Sequence, residues 1–322
     1  MAGYYSRILS MSIPAIVVYV QLLQFFSAQR IMYPGVYSSV LGFVANLLFG
    51  LLMVVGWPIP KFDGYGFFAC PIVTMGVTYM QLVFFLFYYI WLEQLHLPCW
   101  PGWKFSEITR ERMWTFMDLY FPSALSAASD YWRVAVIGLL AASMGEMEVA
   151  VYNTAYRIIW ITLTLTMALS AASGINISLR LGKMDPVQAK QAGVVCVGLT
   201  SAVSFLLSCL IFVRSRWFGM IFTTDTDFLD LFEEARIPFI LVLFFTNLSI
   251  SLERIPFSMG RTREVFYVSA FASWLVQVPF VFLLTRKWRN DLVGLYTGMA
   301  IGYAILVLLY LRIVLNRYVS FS

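Results

Sequence analysis

Phe26-Ser27-Ala28-Gln29-Arg30 returns 231 positions later as Phe257-Ser258-Met259-Gly260-Arg261, and this echo decides how the rest of the chain is read. At the same offset Ser38 meets Ser269 and Asn46 meets Gln277, each pair inside an apolar run. After a three-residue slip, Asp63-Gly64-Tyr65-Gly66-Phe67-Phe68 answers to Asp291-Leu292-Val293-Gly294-Leu295-Tyr296. Ordered self-similarity in an apolar chain points to duplicated transporter architecture, in which the first and last quarters are versions of one unit.

Outward from the repeat, the chain is apolar almost throughout. Hydrophobic residues make up 61% of the sequence and charged residues 12%, against the ~25% charge of a soluble domain. A membrane-crossing helix needs roughly 20 mostly apolar residues. Nine stretches qualify, at 4–29, 34–56, 67–92, 118–142, 150–175, 192–213, 237–254, 264–285 and 293–315. They are too long and continuous for the alternating strands of a barrel. The expected fold is therefore an all-α polytopic membrane protein with about nine transmembrane helices.

The same composition excludes much chemistry. Cys70, Cys99, Cys196 and Cys209 have no metal or redox spacing and read as structural thiols. His96 is the only histidine, so a histidine-built metal centre is ruled out. No phosphate loop or nucleophile–base pair is present, and neither an enzymatic activity nor a cofactor is expected. The net charge of +5 comes from loops beside a membrane and needs no nucleic-acid partner. Tyr4–Arg30 is too long for the apolar core of a secretory leader and lacks a small-residue cleavage site.

Three regions follow. Residues 4–92 hold three helices, 93–117 a cytoplasmic linker, and 118–315 six helices. In the linker Pro98, Trp100, Pro101 and Trp103 precede the charged stretch Ser106–Arg112. Ser106 is placed to cap a short interfacial helix, with a simple connector as the alternative. With the N-terminus outside, twelve basic residues fall on the inner loops (among them Arg30, Arg180, Lys183 and Lys190) and eight on the outer ones. The acidic run from Asp225 to Glu234 also falls outside, in accord with the positive-inside bias. Helices one to three match helices seven to nine, and three helices precede the second copy. A duplication of six-helix halves then predicts three more helices ahead of Tyr4.

Asp130 is the only acidic residue deep within an expected span. A carboxylate near mid-bilayer costs ~2.5–3.5 kcal/mol on insertion scales, so it should face a cavity or a partner. It can bind a cation or exchange a proton for one, or form a structural ion pair with Arg133, one helical turn on, or with Arg157. Tyr131 and Trp132 follow it directly. On the next helix Asn153 and Arg157 are four apart and share a face, with Tyr156 beside them. Glu253 and Arg254 read as an interfacial salt bridge beside Pro256. Gln21, Gln24 and Asn46 are amides within spans, expected to bond between helices, with Gln24 and Asn46 as possible cavity lining. Gly294, Gly298 and Gly302 form two successive Gly-x-x-x-Gly spacings that permit close helix packing.

Several passages resemble the multidrug and toxic compound extrusion (MATE) antiporters of eukaryotic type. Ala171-Ala172-Ser173-Gly174-Ile175-Asn176-Ile177-Ser178-Leu179-Arg180-Leu181-Gly182-Lys183 is similar to the family's segment ending the eighth helix. Phe25–Pro34 is similar to its fourth-to-fifth helix junction, and Pro122-Ser123-Ala124-Leu125 with Asp130-Tyr131-Trp132 to its seventh helix. The resemblance covers nearly the whole chain and implies a two-lobe, twelve-helix fold from which the first three helices are absent, leaving 4–92 as a truncated N-lobe and 118–315 as the C-lobe. It also implies a secondary antiporter of small organic solutes, drugs included, against H⁺ or Na⁺, in a plasma membrane or vacuole-like membrane. Asp130 would bind substrate or ion, and Tyr131, Trp132, Asn153, Tyr156 and Arg157 would stand at the site. The chain departs from the family pattern at Arg157 and Ala135, positions often acidic in eukaryotic relatives, and around Phe244 and Phe245, where they carry a carboxylate. Two alternatives remain: a flippase of lipid-linked oligosaccharides with the same superfold, greeting a pyrophosphate through Arg133 and Arg157, and a degenerate membrane protein that does not transport.

Overall fold

The structure, a computed structural model, describes residues 2–59, 62–100, 102 and 108–319. Among them every regular element is helical, and two compact units divide at residue 108. In the first unit, α1 (Ala2–Ser10) and α2 (Ile13–Ala28) form a pair bent by 46°. The apolar run 4–29 predicts one continuous span. Pro14, in the first turn of α2, has no N–H to donate back into α1, so the helix breaks at Met11 and Ser12. The Ser12 hydroxyl takes up the slack by donating to the Leu9 carbonyl at 2.7 Å.

Helices α3 (Tyr33–Val55) and α4 (Gly66–Leu92) complete this unit, and each ends in a wide π-helical stretch. Phe26, Phe85 and Tyr89 form its buried aromatic centre, with ring centroids 5.6 and 5.2 Å apart along the chain of contacts. Gln81 of α4 donates to the Ser38 carbonyl of α3 at 3.0 Å.

The second unit opens with α5 (Arg110–Ala142), which starts well inside the expected linker. Its cap is Thr109, whose hydroxyl accepts the Arg112 N–H at 3.3 Å; the expected cap Ser106 lies outside the described residues. Next come α6 (Glu146–Gly182) and α7 (Pro186–Val213). Proline at the first helical position and the Asp185 carboxylate, accepting from the Gln188 N–H at 3.0 Å, fix the start of α7. Two short helices follow, α8 (Ser215–Met220) and α9 (Thr226–Glu234); the second carries the acidic run and is tied to the first by Arg216 and Asp230 at 2.9 Å.

Helix α10 (Arg236–Ser258) is the hub of this unit and packs on α6, on α7 and on the final helix. Two helices follow, α11 (Thr262–Lys287) with a π-helical turn at Phe271–Gln277, and α12 (Leu292–Val319). The core joins Tyr152 of α6, Phe239 of α10 and Tyr296 of α12, the last two rings 5.7 Å apart. Asn247 of α10 donates to Thr162 of α6 at 3.2 Å and accepts from Thr166 at 2.5 Å, a polar bridge within an apolar interior.

Seven of these helices are long and apolar enough to cross a bilayer, and the bent α1–α2 pair makes an eighth. The ninth expected stretch lies in α5, which is long enough but diluted by Asp118, Asp130 and Arg133. The chain is an integral, multi-pass helical membrane protein.

Candidate functional site

The interior charge of the second unit is built on one turn of α5. Asp130 and Arg133 are three apart, which brings their side chains to the same face. Arg133 Nη2 lies 3.1 Å from the Asp130 carboxylate, so the ion pair foreseen from spacing forms. Arg133 is also held from two other helices. It donates to the Ser273 hydroxyl of α11 at 3.0 Å and to the Tyr303 hydroxyl of α12 at 3.2 Å. Its guanidinium carbon sits 4.9 Å from the centre of the Tyr303 ring. The guanidinium is buried, at 7% side-chain exposure, whereas the Asp130 carboxylate keeps 40%. The arginine is therefore a fixed structural charge, and the carboxylate is the accessible member of the pair.

The π-helical turn of α11 is what delivers Ser273. A wide turn shifts the following side chains around the helix axis, and such turns recur at functional sites. Just behind it, Trp274 donates to the Ser129 hydroxyl at 2.7 Å, pinning α11 to the residue before Asp130. Ser269, one turn earlier, faces the Asp130 carboxylate.

Asp130 opens into a cavity of about 210 Å³. Tyr131, Tyr156, Trp160 and Tyr303 give it aromatic walls, and Glu253 of α10 brings a second carboxylate. The expected Glu253–Arg254 salt bridge is not formed. Helix α10 runs on to Ser258, placing Glu253 inside the span, where it enters no ion pair among the described residues. Arg254 instead lies over the Phe257 ring at 5.8 Å and backs onto Gly174. Two interior carboxylates thus line one cavity, and Arg133 pairs with Asp130 alone.

Of the residues expected at the site, Asp130, Tyr131 and Tyr156 line this cavity. Trp132 is exposed on α5 at 59%, and Asn153 and Arg157 are exposed on α6; none of the three belongs to the lining. Arg157 makes no ion pair with Asp130. In the first unit Asn46 lines a separate groove of about 610 Å³ between α3 and α4, whereas Gln24 is exposed on α2 and outside that groove. Sequence reading missed Glu253 as a site residue because α10 was ended too early, at 254. Ser273 and Tyr303 carried no sequence signal, since each is one polar group in a long apolar run. No group of three or more His, Cys, Asp or Glu able to hold a metal ion occurs among the described residues.

This geometry can be set beside known proteins. Human multidrug and toxin extrusion protein 2 is 25% identical over 84% of this chain and 44% of its own length. The probable multidrug resistance protein NorM of Photorhabdus laumondii is 24% identical over 89% of this chain and 65% of its own. The chain spans about half the length of the first curated relatives it matches. A solved MATE structure in complex with MaL6 superposes with a TM-score of 0.86 at 15% identity, over 98% of this chain and 70% of that one. This likeness gives the fold, a MATE fold. The MatE family model matches residues 122–283, half of the chain, from Pro122 within the Asp130 helix into α11. Composition, fold and this match together place the chain in the MatE family.

Proposed function

We propose that this chain is a MatE-type secondary active transporter that exports small organic solutes, xenobiotics among them, against an inward flow of H⁺ or Na⁺. The extrusion and drug-resistance names of its relatives support the class. Residues 4–92 and 118–315 are read as the N-lobe and C-lobe, joined by the linker. The observation that supports the mechanism is the meeting of two interior carboxylates, Asp130 and Glu253, in one cavity beside the buried Arg133, which pairs with Asp130.

The cavity's size supports an ion as its occupant. Pockets for drug-sized ligands run to ~300–1,000 Å³, and each water takes about 30 Å³. A volume of about 210 Å³ suits a proton or a partly hydrated cation better than a whole organic solute. In this reading Asp130 and Glu253 take the coupling ion, while Arg133, fixed by Ser273 and Tyr303, supplies a fixed positive charge beside Asp130. Tyr131 and Tyr156 present rings to the bound cation. The larger groove at Asn46, apolar with a few amide and hydroxyl groups, is the better match for an organic solute. Trp132, Asn153 and Arg157 then act from the exposed surface of the second unit.

The test is efflux of a fluorescent organic cation from proteoliposomes, driven in turn by a proton and a sodium gradient. Asp130→Asn is expected to cut gradient-driven efflux by at least about tenfold at equal protein content. Unchanged efflux in both gradients would sink the proposal. Transport of an anionic pyrophosphate lipid in place of the cation would favour the flippase alternative.

A further inference from the structure

A third cavity, of about 440 Å³, is lined by α6 and α7 and is not part of the site above. Its floor is closed by two contacts between the helices. The Ser173 hydroxyl donates to the Ala192 carbonyl at 3.4 Å, and the Cys196 thiol to the Leu169 carbonyl at 3.9 Å. From this floor the crevice runs from an apolar end to a polar one. Leu169, Ala172, Val195 and Leu199 line the end within the span. Asn176, Arg180, Gln188 and Gln191 line the end near the α6–α7 turn. Arg180 and Gln188 sit three residues or fewer from the ends of their helices, at the level where a bilayer gives way to headgroups.

The polar end is rich in donors. No acidic side chain lines the crevice, while a guanidinium and three carboxamides do. Arg180 lines the crevice, and its Nε is buried beside it without a hydrogen bond. The adjoining turn carries Lys183 and Asp185, whose charges offset, so Arg180 is the cation of the crevice, on the side the charge bias assigns to the cytoplasm.

We infer that this crevice holds an anionic glycerophospholipid, with its phosphodiester at Arg180 and the surrounding amides and one acyl chain along Leu169, Ala172, Val195 and Leu199. Both halves of the ligand are matched. Leu169 to Arg180 is eleven residues, about 16 Å of helix, a length an acyl chain fills. Basic pockets between membrane helices on the cytoplasmic side are a recurrent headgroup site. A free phosphate would satisfy the polar end but leave the apolar half in contact with nothing of its own kind.

Native mass spectrometry of the full chain in detergent, with equal phosphatidylglycerol and phosphatidylcholine added, tests the assignment. Phosphatidylglycerol adducts should predominate, and Arg180→Gln should lower that preference about five-fold, the weight of one basic contact. Ala172→Trp, which fills the apolar half, should remove the adduct of either lipid and serves if the arginine variant fails to fold. Asp130→Asn, in the other cavity, should leave the adducts unchanged. Equal retention of the two lipids, no response to Arg180→Gln, or displacement of the lipid by inorganic phosphate alone would each overturn the proposal.

Discussion

The two copies of the repeat share a sequence pattern and use it differently. In the second copy α12 lays Gly294, Gly298 and Gly302 against α11, and a Cβ on Gly298 would strike the Val281 backbone. In the first copy the same three positions hold Gly66, Cys70 and Thr74, and there the helices part: Cys70 and Thr74 line the groove of about 610 Å³. Buried residues make up 50% of the most apolar stretch of α12 but 22% of that of α4. One copy has become core and the other has kept a groove. The lesson is that two or three side-chain volumes on one helix stripe decide whether a duplicated pair of helices closes or stays open.

The amides tell the same story. Gln277, the counterpart of Asn46, is buried and donates across to the Met299 carbonyl of α12 at 3.0 Å. Asn46 is exposed in the groove, and the link between α3 and α4 comes from the other side, from Gln81 to Ser38. Gly42 and Ser273 also correspond. Gly42 leaves room for the Gln81 side chain, whereas Ser273 receives Arg133. The face that serves helix packing on α3 serves the charged site on α11.

The largest expected effect comes from closing what is open and opening what is closed. Gly298→Leu should prevent α11 and α12 from meeting, because backbone atoms stand in the way and cannot yield; overpacking typically costs ~1–3 kcal/mol and more where backbone must move. Thermal unfolding of the detergent-purified chain should show a lowered midpoint or no folded protein, while Cys70→Leu, which grows into a groove, should leave it near the parent. Equal loss in both variants would erase the distinction between the copies. Next in size is Arg133→Met. It strands Asp130 without its partner, and breaking a buried ion pair by removing one member costs ~3–5 kcal/mol where both are sealed in. The Asp130 carboxylate is 40% exposed, so the expected loss is at the lower end of that range or below it. Asp130→Asn with Arg133→Met in the same chain should recover part of the loss in the same unfolding assay.

How much of this was legible beforehand follows from the physics of each feature. Span number and helix class were readable because apolar length is a property of the chain alone. The Asp130–Arg133 pair was readable because it is local, three residues on one helix. The break at Ser12 was also written locally, in Pro14, but an apolar run masks a bend since hydropathy ignores the missing N–H. Glu253 was out of reach for another reason. Its helix continues through Arg254 and Pro256 to Ser258, and charge near a helix end looks interfacial until tertiary packing buries it. Ser273, Tyr303 and the groove around Asn46 depend on which face of one helix meets another. That is decided by partners more than a hundred positions away, as with Arg133 and Ser273 or Arg133 and Tyr303.

A middle-sized test separates the two amides. Gln277→Leu removes a buried donor to Met299, and interhelical hydrogen bonds in membranes are worth ~0.6 kcal/mol on average and up to ~1.7. Asn46→Leu removes an exposed amide from a groove and should change the unfolding midpoint less than Gln277→Leu, while altering solute transport if the groove is where the solute binds. A larger midpoint loss from Asn46→Leu would mean that the first copy is closed after all.

The smallest expected effect is the most direct probe of the repeat itself. Both copies end their leading helix with a six-to-one hydrogen bond, from the Ile31 N–H to the Phe26 carbonyl and from the Arg261 N–H to the Pro256 carbonyl, each 3.0 Å. The left-handed residue in the turn is Arg30 in the first copy, at φ 65°, and Gly260 in the second, at φ 75°. By sequence Arg30 corresponds to Arg261, so the turn falls one residue earlier in the second copy, at the glycine. A side chain in this region costs about 1 kcal/mol relative to glycine. A Cβ at Gly260 would meet nothing within 4 Å, so Gly260→Ala exposes that backbone cost by itself. Gly260→Ala should therefore lower the unfolding midpoint by the equivalent of about 1 kcal/mol, and Arg30→Gly should raise it by a similar amount, ~1 kcal/mol less the entropy glycine adds to the unfolded chain. Opposite signs in the two copies would establish that the first carries a strained arginine where the second has moved its turn by one residue to use a glycine.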